Sequence, residues 1–294
     1  MSGLFGYLVF RALWGFAGLL PEPVMRHLGY GAGYLMSFFQ RKRLAMAERH
    51  QRRILGPEVD ARRAARRAFG FYGRYYAEVF WMRPRRRRRV LEISEVEDLS
   101  ILKEAVAAPP GVILAVGHLG NFEAAGLKAA AEGARVLGVA EALANERVVR
   151  WFIKLRAMMG IDILLTGRGA RTMDTLVRCL EEGKVVALPC DRDLKANGIP
   201  VTLFGEETTF PAGPLALACR TGATVLPVGT YFHRKAGNHF RIYPPLAVPT
   251  EGTLEERVQL GTRRLAAVLE EIIAEAPEQW HVMVPNWPSD REER

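Results

Sequence analysis

The chain has 294 residues and a mass of 32.8 kDa, and 49% of its residues are apolar and 25% charged. This is the composition of a globular protein with a sizeable core, which excludes a disordered, collagen-like or coiled-coil chain. The three cysteines, Cys179, Cys190 and Cys219, form no CxxC pair. The sequence therefore predicts neither a disulfide framework nor a zinc knuckle, and it favours a reducing compartment.

The net charge of +9 is concentrated in one segment. Residues 41–89 hold 17 Lys and Arg against four acidic residues, whereas residues 90–294 hold 22 against 27. A localised basic block attracts a polyanion, which can be nucleic acid or an anionic membrane surface. A solvated basic face without a partner is the alternative.

The first forty residues favour a membrane surface over nucleic acid. Residues 3–20 are apolar apart from Arg11, and Pro21 and Pro23 end any helix there. Two features argue against a membrane-spanning helix: the segment is short for a bilayer, and an arginine at the centre of a spanning helix costs about 2.5–3.5 kcal/mol. No signal-peptide cleavage site is visible, which argues against a signal peptide. With the second apolar stretch, 24–39, it predicts retained helices at a membrane interface; two ordinary core helices are the alternative.

Within the basic block, residues 59–82 predict an amphipathic helix. An apolar, largely aromatic stripe follows helical spacing, and arginines occupy the rest of the surface. The stripe consists of Ala65, Phe69, Tyr72, Tyr76 and Phe80, and the arginines are Arg62, Arg63, Arg66, Arg67 and Arg74. With the five arginines at 85–89, this pattern is typical of an interfacial helix on anionic lipid.

From about residue 110 onward, apolar runs bounded by Gly and Pro alternate with segments of helical period. The predicted strands are 112–116, 135–140, 162–165, 184–190, 201–204, 208–210, 224–232 and 239–243. The predicted helices are 121–131, 145–159, 170–180, 213–220 and 254–275. Repeated βα units predict an α/β fold with a central, mostly parallel sheet flanked by helices. We predict one structural domain, in which a helical membrane-interface region, 1–100, is integrated with an α/β core, 101–294.

In such a sheet, function gathers at the carboxyl ends of the strands, and residues 117–123 (GHLGNFE) lie at one of them. A histidine at a strand end, with a carboxylate to fix its tautomer, suits a general base. His118 and Glu123 are about 500° apart on a regular helix, so contact requires His118 in the turn and Glu123 on the first helical turn. A turn histidine that merely caps the helix is the alternative.

Two further motifs follow predicted strands. In residues 190–193 (CDRD), two carboxylates around Arg192 can orient a catalytic histidine or bind a polar substrate, or form a surface turn with an internal ion pair. Cys190 is predicted to be an inert core thiol rather than a nucleophile. In residues 210–214 (FPAGP), Pro211 and Gly213 allow backbone N–H groups to approach an anion, and equally favour a plain helix start.

Missing motifs narrow the chemistry. None of the five serines lies in a GxSxG elbow, which argues against a serine hydrolase, and no phosphate-binding glycine loop occurs. No HExxH or paired Cys/His ligand set occurs, and His233 and His239 are predicted to flank a hairpin and to be structural. A histidine base without an enzyme nucleophile suits direct transfer of an activated acyl group, such as a thioester, to a hydroxyl that the base deprotonates.

The pair His118…Glu123 after a strand resembles the H-x4-D/E acyltransferases of glycerolipid and glycolipid synthesis. Within them, the chain is similar to the branch of lipid A late acyltransferases and phosphatidylinositol mannoside acyltransferases, over most of its length. The most specific stretches are CDRDLKANGIPVTLFGEETTFPAGPLALACRTGATVLPV (190–228) and PEQWHVMVPNW (277–287), which look closest to the mannoside enzymes.

The resemblance implies an O-acyltransferase that moves a fatty acyl chain from acyl-CoA or an acyl carrier protein to a sugar hydroxyl of a membrane glycolipid. A phosphatidylinositol mannoside is the preferred acceptor, and a lipid A precursor is the alternative. His118 is implied as the base, Glu123 holds the acid position of the motif, and Asp191 is a second candidate for orienting His118. The predicted substrate-binding residues are Glu141, Arg156, Arg192, Asp193, Pro211 and Gly213.

The resemblance also implies no metal, and no cofactor beyond the acyl donor, which is a substrate. The expected partners are anionic membrane lipids, the donor and the glycolipid acceptor, without nucleic acid. The expected location is the inner face of the cytoplasmic membrane, as a peripheral or monotopic protein. A non-catalytic lipid- or nucleic-acid-binding protein is the alternative from a different class, and salt-sensitive binding of nucleic acid would favour it.

Overall fold

Twelve α-helices and nine strands occur in the part of the chain that the computed structural model describes, residues 2–141, 145–166, 171–193, 196–233 and 237–292. The helices are α1 (Ser2–Ala17), α2 (Glu22–Met36), α3 (Arg41–Leu55), α4 (Ala61–Trp81), α5 (Arg87–Glu92), α6 (Leu99–Ala107), α7 (Phe122–Ala131), α8 (Glu146–Met158), α9 (Arg171–Glu181), α10 (Gly213–Thr221), α11 (Leu254–Glu275) and α12 (Ser289–Glu292). The strands are β1 (Ser94–Glu97), β2 (Val112–Val116), β3 (Val136–Glu141), β4 (Ile161–Thr166), β5 (Val185–Pro189), β6 (Ile199–Leu203), β7 (Glu206–Phe210), β8 (Thr224–Phe232) and β9 (Asn238–Ile242).

Seven of these strands form one sheet in the order β1-β9-β8-β2-β5-β3-β4. The five strands from β8 to β4 are parallel, whereas β9 runs antiparallel to β8 and pairs in parallel with β1. Strands β6 and β7 form a separate antiparallel hairpin. The prediction of an α/β fold with a mostly parallel central sheet is confirmed. β1 lies within the 1–100 region that was predicted to be helical, which corrects that prediction.

The core lies on both faces of the sheet, because successive side chains of a strand point to opposite faces. Ile113 and Ala115 of β2 face a layer that includes α9, α10 and α11. Leu114 and Val116 face the opposite layer, which includes α6 and α7. A strand buried on both faces reads as a continuous apolar run, which is why β2 is recognisable in the sequence.

Helix α4 crosses α2 at very short range. A Cβ atom on Gly33 would lie 2.1 Å from the carbonyl oxygen of Phe69, and one on Gly73 would lie 2.3 Å from that of Gly29. Glycine is therefore required at Gly33 and Gly73, and the two helix backbones are in contact there.

The aromatic stripe of α4 is covered by protein in its first half. Ala65 and Phe69 are buried in a cluster with Leu44 of α3 and Met283 of the C-terminal segment. The prediction of a lipid-facing stripe is therefore wrong for these two residues, since α3, a helix that the sequence analysis did not predict, packs on them. Tyr76, about two turns further along, is exposed.

Arginines after α4 hold the end of α1. Arg83 donates a hydrogen bond to the carbonyl oxygen of Trp14, and Arg86 Nη2 donates to that of Gly18 at 2.7 Å. These cations satisfy carbonyl groups at the C-terminal end of a helix, where positive charge is favoured. Part of the arginine run is thus used inside the protein. None of the helices in the described ranges is long and apolar enough to cross a membrane.

A buried carboxylate, Asp290, holds the C-terminal segment to α3. Its Oδ2 accepts hydrogen bonds from His50 Nε2 at 3.0 Å and from the backbone N–H groups of Asn286 at 3.0 Å and Trp287 at 3.1 Å. Arg53 Nη1 lies 3.0 Å from Oδ1. Burial by itself raises the pKa of Asp290, but the hydrogen bonds and the His50 ring outweigh it, so this pKa lies well below its ordinary value.

We expect Asp290→Asn to weaken the acid dependence of stability. Because the folded pKa lies below the unfolded value of about 3.9, ionised Asp290 stabilises the fold above about pH 4, and that contribution is lost as the pH falls further. Between pH 6 and pH 3 the wild type should lose about 1 kcal/mol more unfolding free energy than the variant, measured by urea titration at each pH. Asp174→Asn, on the exposed face of α9, is the control that should keep the wild-type dependence. A wild-type dependence in Asp290→Asn would contradict the assignment.

Candidate active site

Two strand ends bring His118 and Asp191 together. β2 and β5 are parallel neighbours with Val116 opposite Pro189, so the loops that follow them emerge side by side. His118 Nδ1 lies 2.7 Å from Asp191 Oδ1, and the His118 backbone N–H donates to Oδ2 at 2.8 Å. The Asp191 side chain is fully buried, whereas that of His118 is 31% exposed. One member of the pair is thus fixed in the protein and the other faces outward.

Trp280 completes the surroundings of the carboxylate. Its Nε1–H donates to Asp191 Oδ2 at 2.7 Å. Burial alone would raise the pKa of Asp191, but the His118 ring and the hydrogen bonds from His118 and Trp280 outweigh burial and lower it. An ionised carboxylate only accepts hydrogen bonds, so the ring proton of His118 lies on Nδ1 and Nε2 keeps its lone pair. This arrangement fixes the tautomer of a neutral His118 ring, which general-base chemistry at Nε2 would require.

The loop that carries His118 is fixed by the C-terminal segment and by β8. The His281 backbone N–H donates to the His118 carbonyl at 2.7 Å, and that of Gly120 donates to the Gln279 carbonyl at 3.1 Å. The Thr230 hydroxyl donates to the carbonyl of Leu119. Gly120 has a φ of +51°, and a Cβ atom there would lie 2.0 Å from the Thr230 carbonyl oxygen, so only glycine fits this turn.

Glu123, the acid of the motif, forms an ion pair with Arg156. It is the second residue of α7, two residues after the N-cap Asn121, whose Oδ1 accepts from the Ala124 N–H at 3.0 Å. Arg156 Nε of α8 donates to Glu123 Oε2 at 2.8 Å, and Nη2 donates to Oε1. His118 precedes the helix and Glu123 is on its first turn, as predicted, but the carboxylate hydrogen-bonded to the His118 ring is that of Asp191.

Sequence comparison identifies the family. Residues 3–289 match the bacterial lipid A biosynthesis acyltransferases. The chain belongs to this family. A phosphatidylinositol mannoside acyltransferase of Mycolicibacterium smegmatis is 32% identical over 287 residues, which cover 96% of this chain and 91% of the relative. Proteins of the same name from two strains of Mycobacterium tuberculosis are each 35% identical over 225 residues, 76% of this chain and 69% of the relative.

The other predicted residues of this acyltransferase lie at the same edge of the sheet. Asp193 Oδ2 accepts from the Gly198 N–H at 2.6 Å and from the Thr209 hydroxyl at 2.9 Å, so Asp193 joins the loop after β5 to the β6–β7 hairpin. Arg192 beside it is half-buried. Glu141 is the last residue of β3, and its side chain lies outside the described part of the structure.

Pro211 and Gly213 lie between β7 and the first turn of α10. Since α10 leads back to the start of β8, its N-terminus lies at the sheet edge that carries His118. The two residues are therefore on the correct side of the acyltransferase for substrate binding, and that role stays a prediction.

Cys190, directly before Asp191, is buried, and its Sγ–H donates to the Leu188 carbonyl at 3.1 Å. Burial raises the pKa of this thiol, so the thiolate is disfavoured. The position fits the predicted inert core thiol rather than a nucleophile.

His281 is a site residue that the sequence analysis missed. Its ring packs near Tyr72 and Tyr75, with centroids 5.4 Å and 5.2 Å away, and neither ring nitrogen has a hydrogen-bond partner in the described structure. Burial, followed by the nearby His118 ring, lowers the pKa of His281 to about 3. A neutral imidazole with an unused donor and acceptor thus lies beside His118. The available signal was its place in PEQWHVMVPNW, a stretch that was used for the resemblance without assigning its histidine.

An apolar cavity of about 100 Å³ lies between α7 and the sheet. It extends to Val116 and Pro189, the last residues of β2 and β5, two residues before His118 and Asp191. Its lining is apolar apart from Lys128 and the Glu123–Arg156 pair. The cavity thus reaches the strand ends from which the His118–Asp191 pair follows. Its position could not be derived from the sequence.

Arg156→Met is expected to destabilise this acyltransferase by about 3 kcal/mol, because it leaves the buried carboxylate of Glu123 without its cation. Equilibrium urea denaturation measures the loss. Glu123→Gln/Arg156→Met, which removes both charges, should recover at least half of it. A double variant less stable than Arg156→Met alone would show that the ion pair is not the cause.

Proposed function

We propose that this acyltransferase moves a fatty acyl chain from an acyl thioester, acyl-CoA or an acyl carrier protein, to a sugar hydroxyl of a phosphatidylinositol mannoside, with His118 as general base. The observation that carries the proposal is the buried Asp191 hydrogen-bonded to Nδ1 of a part-exposed His118. The acceptor is taken from the names of the relatives.

The reaction needs one proton shuttle. His118 Nε2 accepts the proton of the acceptor hydroxyl as its oxygen attacks the thioester carbonyl. The C–S bond then breaks, and the departing thiolate takes the proton from the imidazolium, which restores the neutral ring. The negative charge of Asp191 stabilises the imidazolium during this step and keeps the ring in one orientation. No covalent acyl-enzyme is required.

The cavity beneath α7 supports a donor with an apolar acyl chain, and its volume of about 100 Å³ takes up part of such a chain. An acyl chain in this apolar space would place its thioester at the ends of β2 and β5, next to His118. Glu123 and Arg156 line the cavity, which supports a role in positioning the donor rather than in proton transfer.

Two features support action at a membrane surface. The first is a set of exposed apolar side chains on α1, on α2 and just after them: Leu8, Val9, Leu13, Phe16, Leu19, Val24, Leu28, Leu35, Met36, Phe38 and Phe39. Leu19 and Phe39 are 79% and 80% exposed. The second is the basic block, of which exposed members such as Arg62, Arg63 and Arg88 are available to anionic head groups. Apolar helices with a basic border fit a protein bound at the inner face of the cytoplasmic membrane.

The test supplies the purified protein with palmitoyl-CoA and, in separate reactions, with phosphatidylinositol mannosides and with a lipid A precursor. Products are read by mass spectrometry. An added acyl chain on the mannoside supports the proposal, whereas acylation of the lipid A precursor alone would assign the chain to the other branch of the family. Thiol release without an acylated lipid would contradict both acceptors. If neither reaction proceeds, an acylated carrier protein replaces palmitoyl-CoA as donor, and failure there contradicts the proposal.

A further inference from the structure

A second apolar space lies on the side of α4 that faces α1 and α2. It is a groove of about 410 Å³ between α1, α2 and α4, which we call the helical groove. Its size is within the range of roughly 300–1,000 Å³ that is typical of ligand sites. Leu13 and Phe16 of α1, Leu28 of α2, and Tyr72 and Tyr76 of α4 are among its lining residues.

The two ends of the helical groove differ in chemistry. One end is formed by side chains such as Phe16 and Leu28, which are exposed and continuous with the apolar surface of α1 and α2. The other end contains Gln40 and Arg43. Arg43 Nη1 donates to Gln40 Oε1 at 3.1 Å, and no ion pair of Arg43 with an acidic side chain is present in the described ranges. An apolar groove that ends at an uncompensated cation matches a hydrocarbon chain that ends at an anion.

The Arg43 end also lies nearest the candidate active site. The Arg43 guanidinium lies 5.5 Å from the centroid of the Tyr72 ring, and the Tyr72 ring lies 5.4 Å from that of His281. His281 is joined by its backbone to His118. One aromatic ring thus separates the charged end of the helical groove from the histidines of the site.

We propose that the helical groove binds one acyl chain of the acceptor phospholipid, with the phosphate of that lipid beside Arg43. The inference rests on the function proposed above, because it identifies the bound lipid as the acceptor. In this orientation, the acyl chain of the phospholipid points towards the apolar surface of α1 and α2. Its head group extends past Tyr72 towards His118. The groove then serves the acceptor, and the cavity beneath α7 serves the donor.

The test uses the full-length protein on vesicles of phosphatidylcholine and phosphatidylinositol, the latter with a photoreactive diazirine in one acyl chain. No acyl donor is added. After irradiation, labelled residues are mapped by mass spectrometry. We expect labels inside the helical groove, on its less exposed lining residues such as Tyr72, Phe69 and Met25. Labels confined to outer side chains such as Leu19 and Phe39 would show surface adsorption without entry, and would overturn the proposal.

Two substitutions sharpen this experiment. Ala32 is a small, exposed residue of the groove lining, and Ala32→Trp should fill the groove. Groove labelling should fall by about tenfold or more, which corresponds to the loss of a few buried methylenes, while co-sedimentation with vesicles is unchanged. Undiminished labelling of Tyr72 and Met25 in Ala32→Trp would overturn the assignment.

Arg43→Gln tests the phosphate contact, with Arg41→Gln as the matched control that removes the same charge from an exposed position of the same helix. Groove labelling should fall about tenfold in Arg43→Gln relative to Arg41→Gln, and Arg43→Lys should retain most of it. Equal losses of groove labelling in Arg41→Gln and Arg43→Gln would show that both arginines act only by general attraction of the anionic lipid. That result would overturn the role of Arg43.

The labelling and the transfer reaction can fail independently. A wild-type protein that is labelled in the groove but acylates no lipid contradicts the proposed function and leaves the groove as a phospholipid site. A wild-type protein that acylates the mannoside without groove labelling overturns the groove assignment alone.

Discussion

Replacing His118 by alanine is expected to lower kcat for acyl transfer by about 10²–10⁴-fold, the usual contribution of a positioned general base. The substitution removes Nε2, the atom proposed to accept the hydroxyl proton, while the backbone contacts of the loop remain. Asp191 keeps hydrogen bonds from the His118 backbone N–H and Trp280, so the variant should fold. Initial rates with palmitoyl-CoA and phosphatidylinositol mannosides give the loss, and circular dichroism with the Tm verifies the fold.

His239→Ala is the matched control for His118→Ala. His239 is a half-buried histidine on β9 whose Nε2 lies 3.2 Å from Glu97, and it was predicted to be structural. This variant should keep nearly the wild-type rate. A folded His118→Ala protein that retains more than about a tenth of wild-type turnover would remove His118 from the role of base.

Asp191→Asn is expected to lower kcat by about 10³–10⁴-fold through the tautomer of His118. Two N–H donors, the His118 backbone and Trp280 Nε1, point at Oδ2. The carbonyl oxygen of the asparagine would therefore take the Oδ2 position, and its NH₂ group would face His118 Nδ1. The imidazole would then accept at Nδ1 and carry its proton on Nε2, where the lone pair is needed.

Nitrogen NMR of labelled His118 separates this mechanism from simple misfolding. In the wild type at pH above the His118 titration, Nε2 should be unprotonated, and in Asp191→Asn the proton should lie on Nε2. Asp174→Asn, distant in sequence and exposed on α9, should change neither the rate nor the spectrum. An Asp191→Asn protein with the wild-type tautomer and a rate within about tenfold of wild type would refute the role of Asp191.

The sequence predicted most of the α/β core, because its strands are short apolar runs between Gly and Pro. β2, β8 and α11 have the predicted bounds, and the other predicted elements of the core agree to within about two residues. The elements that the sequence did not predict lack this contrast between an apolar run and flanking Gly and Pro. β1 reads SEVE and has a single apolar residue, Val96, because it is an edge strand. The helical pattern of α3 was masked by the arginines that defined the basic block.

The candidate site was predicted less completely than the fold, for a topological reason. His118 and Asp191 meet because β5 lies between β2 and β3 in the sheet, although β3 and β4 separate β2 from β5 along the chain. Strand order cannot be derived from strand positions, so Asp191 remained one of two candidates. The contact of Glu123 with Arg156 depends on how α8 packs on α7, and spacing within the motif does not report it.

The layer formed by α4 and α7 has a consequence for steady-state kinetics. Ala125 and Ala129 of α7 line the cavity on one side, while Tyr72 and Tyr76 of α4 line the helical groove on the other. Two substrates that occupy these spaces do not exclude each other, so donor and acceptor can form a ternary complex before either product leaves. Double-reciprocal plots at several fixed concentrations of the second substrate should then intersect, whereas a covalent acyl-enzyme would give the parallel lines of a ping-pong reaction.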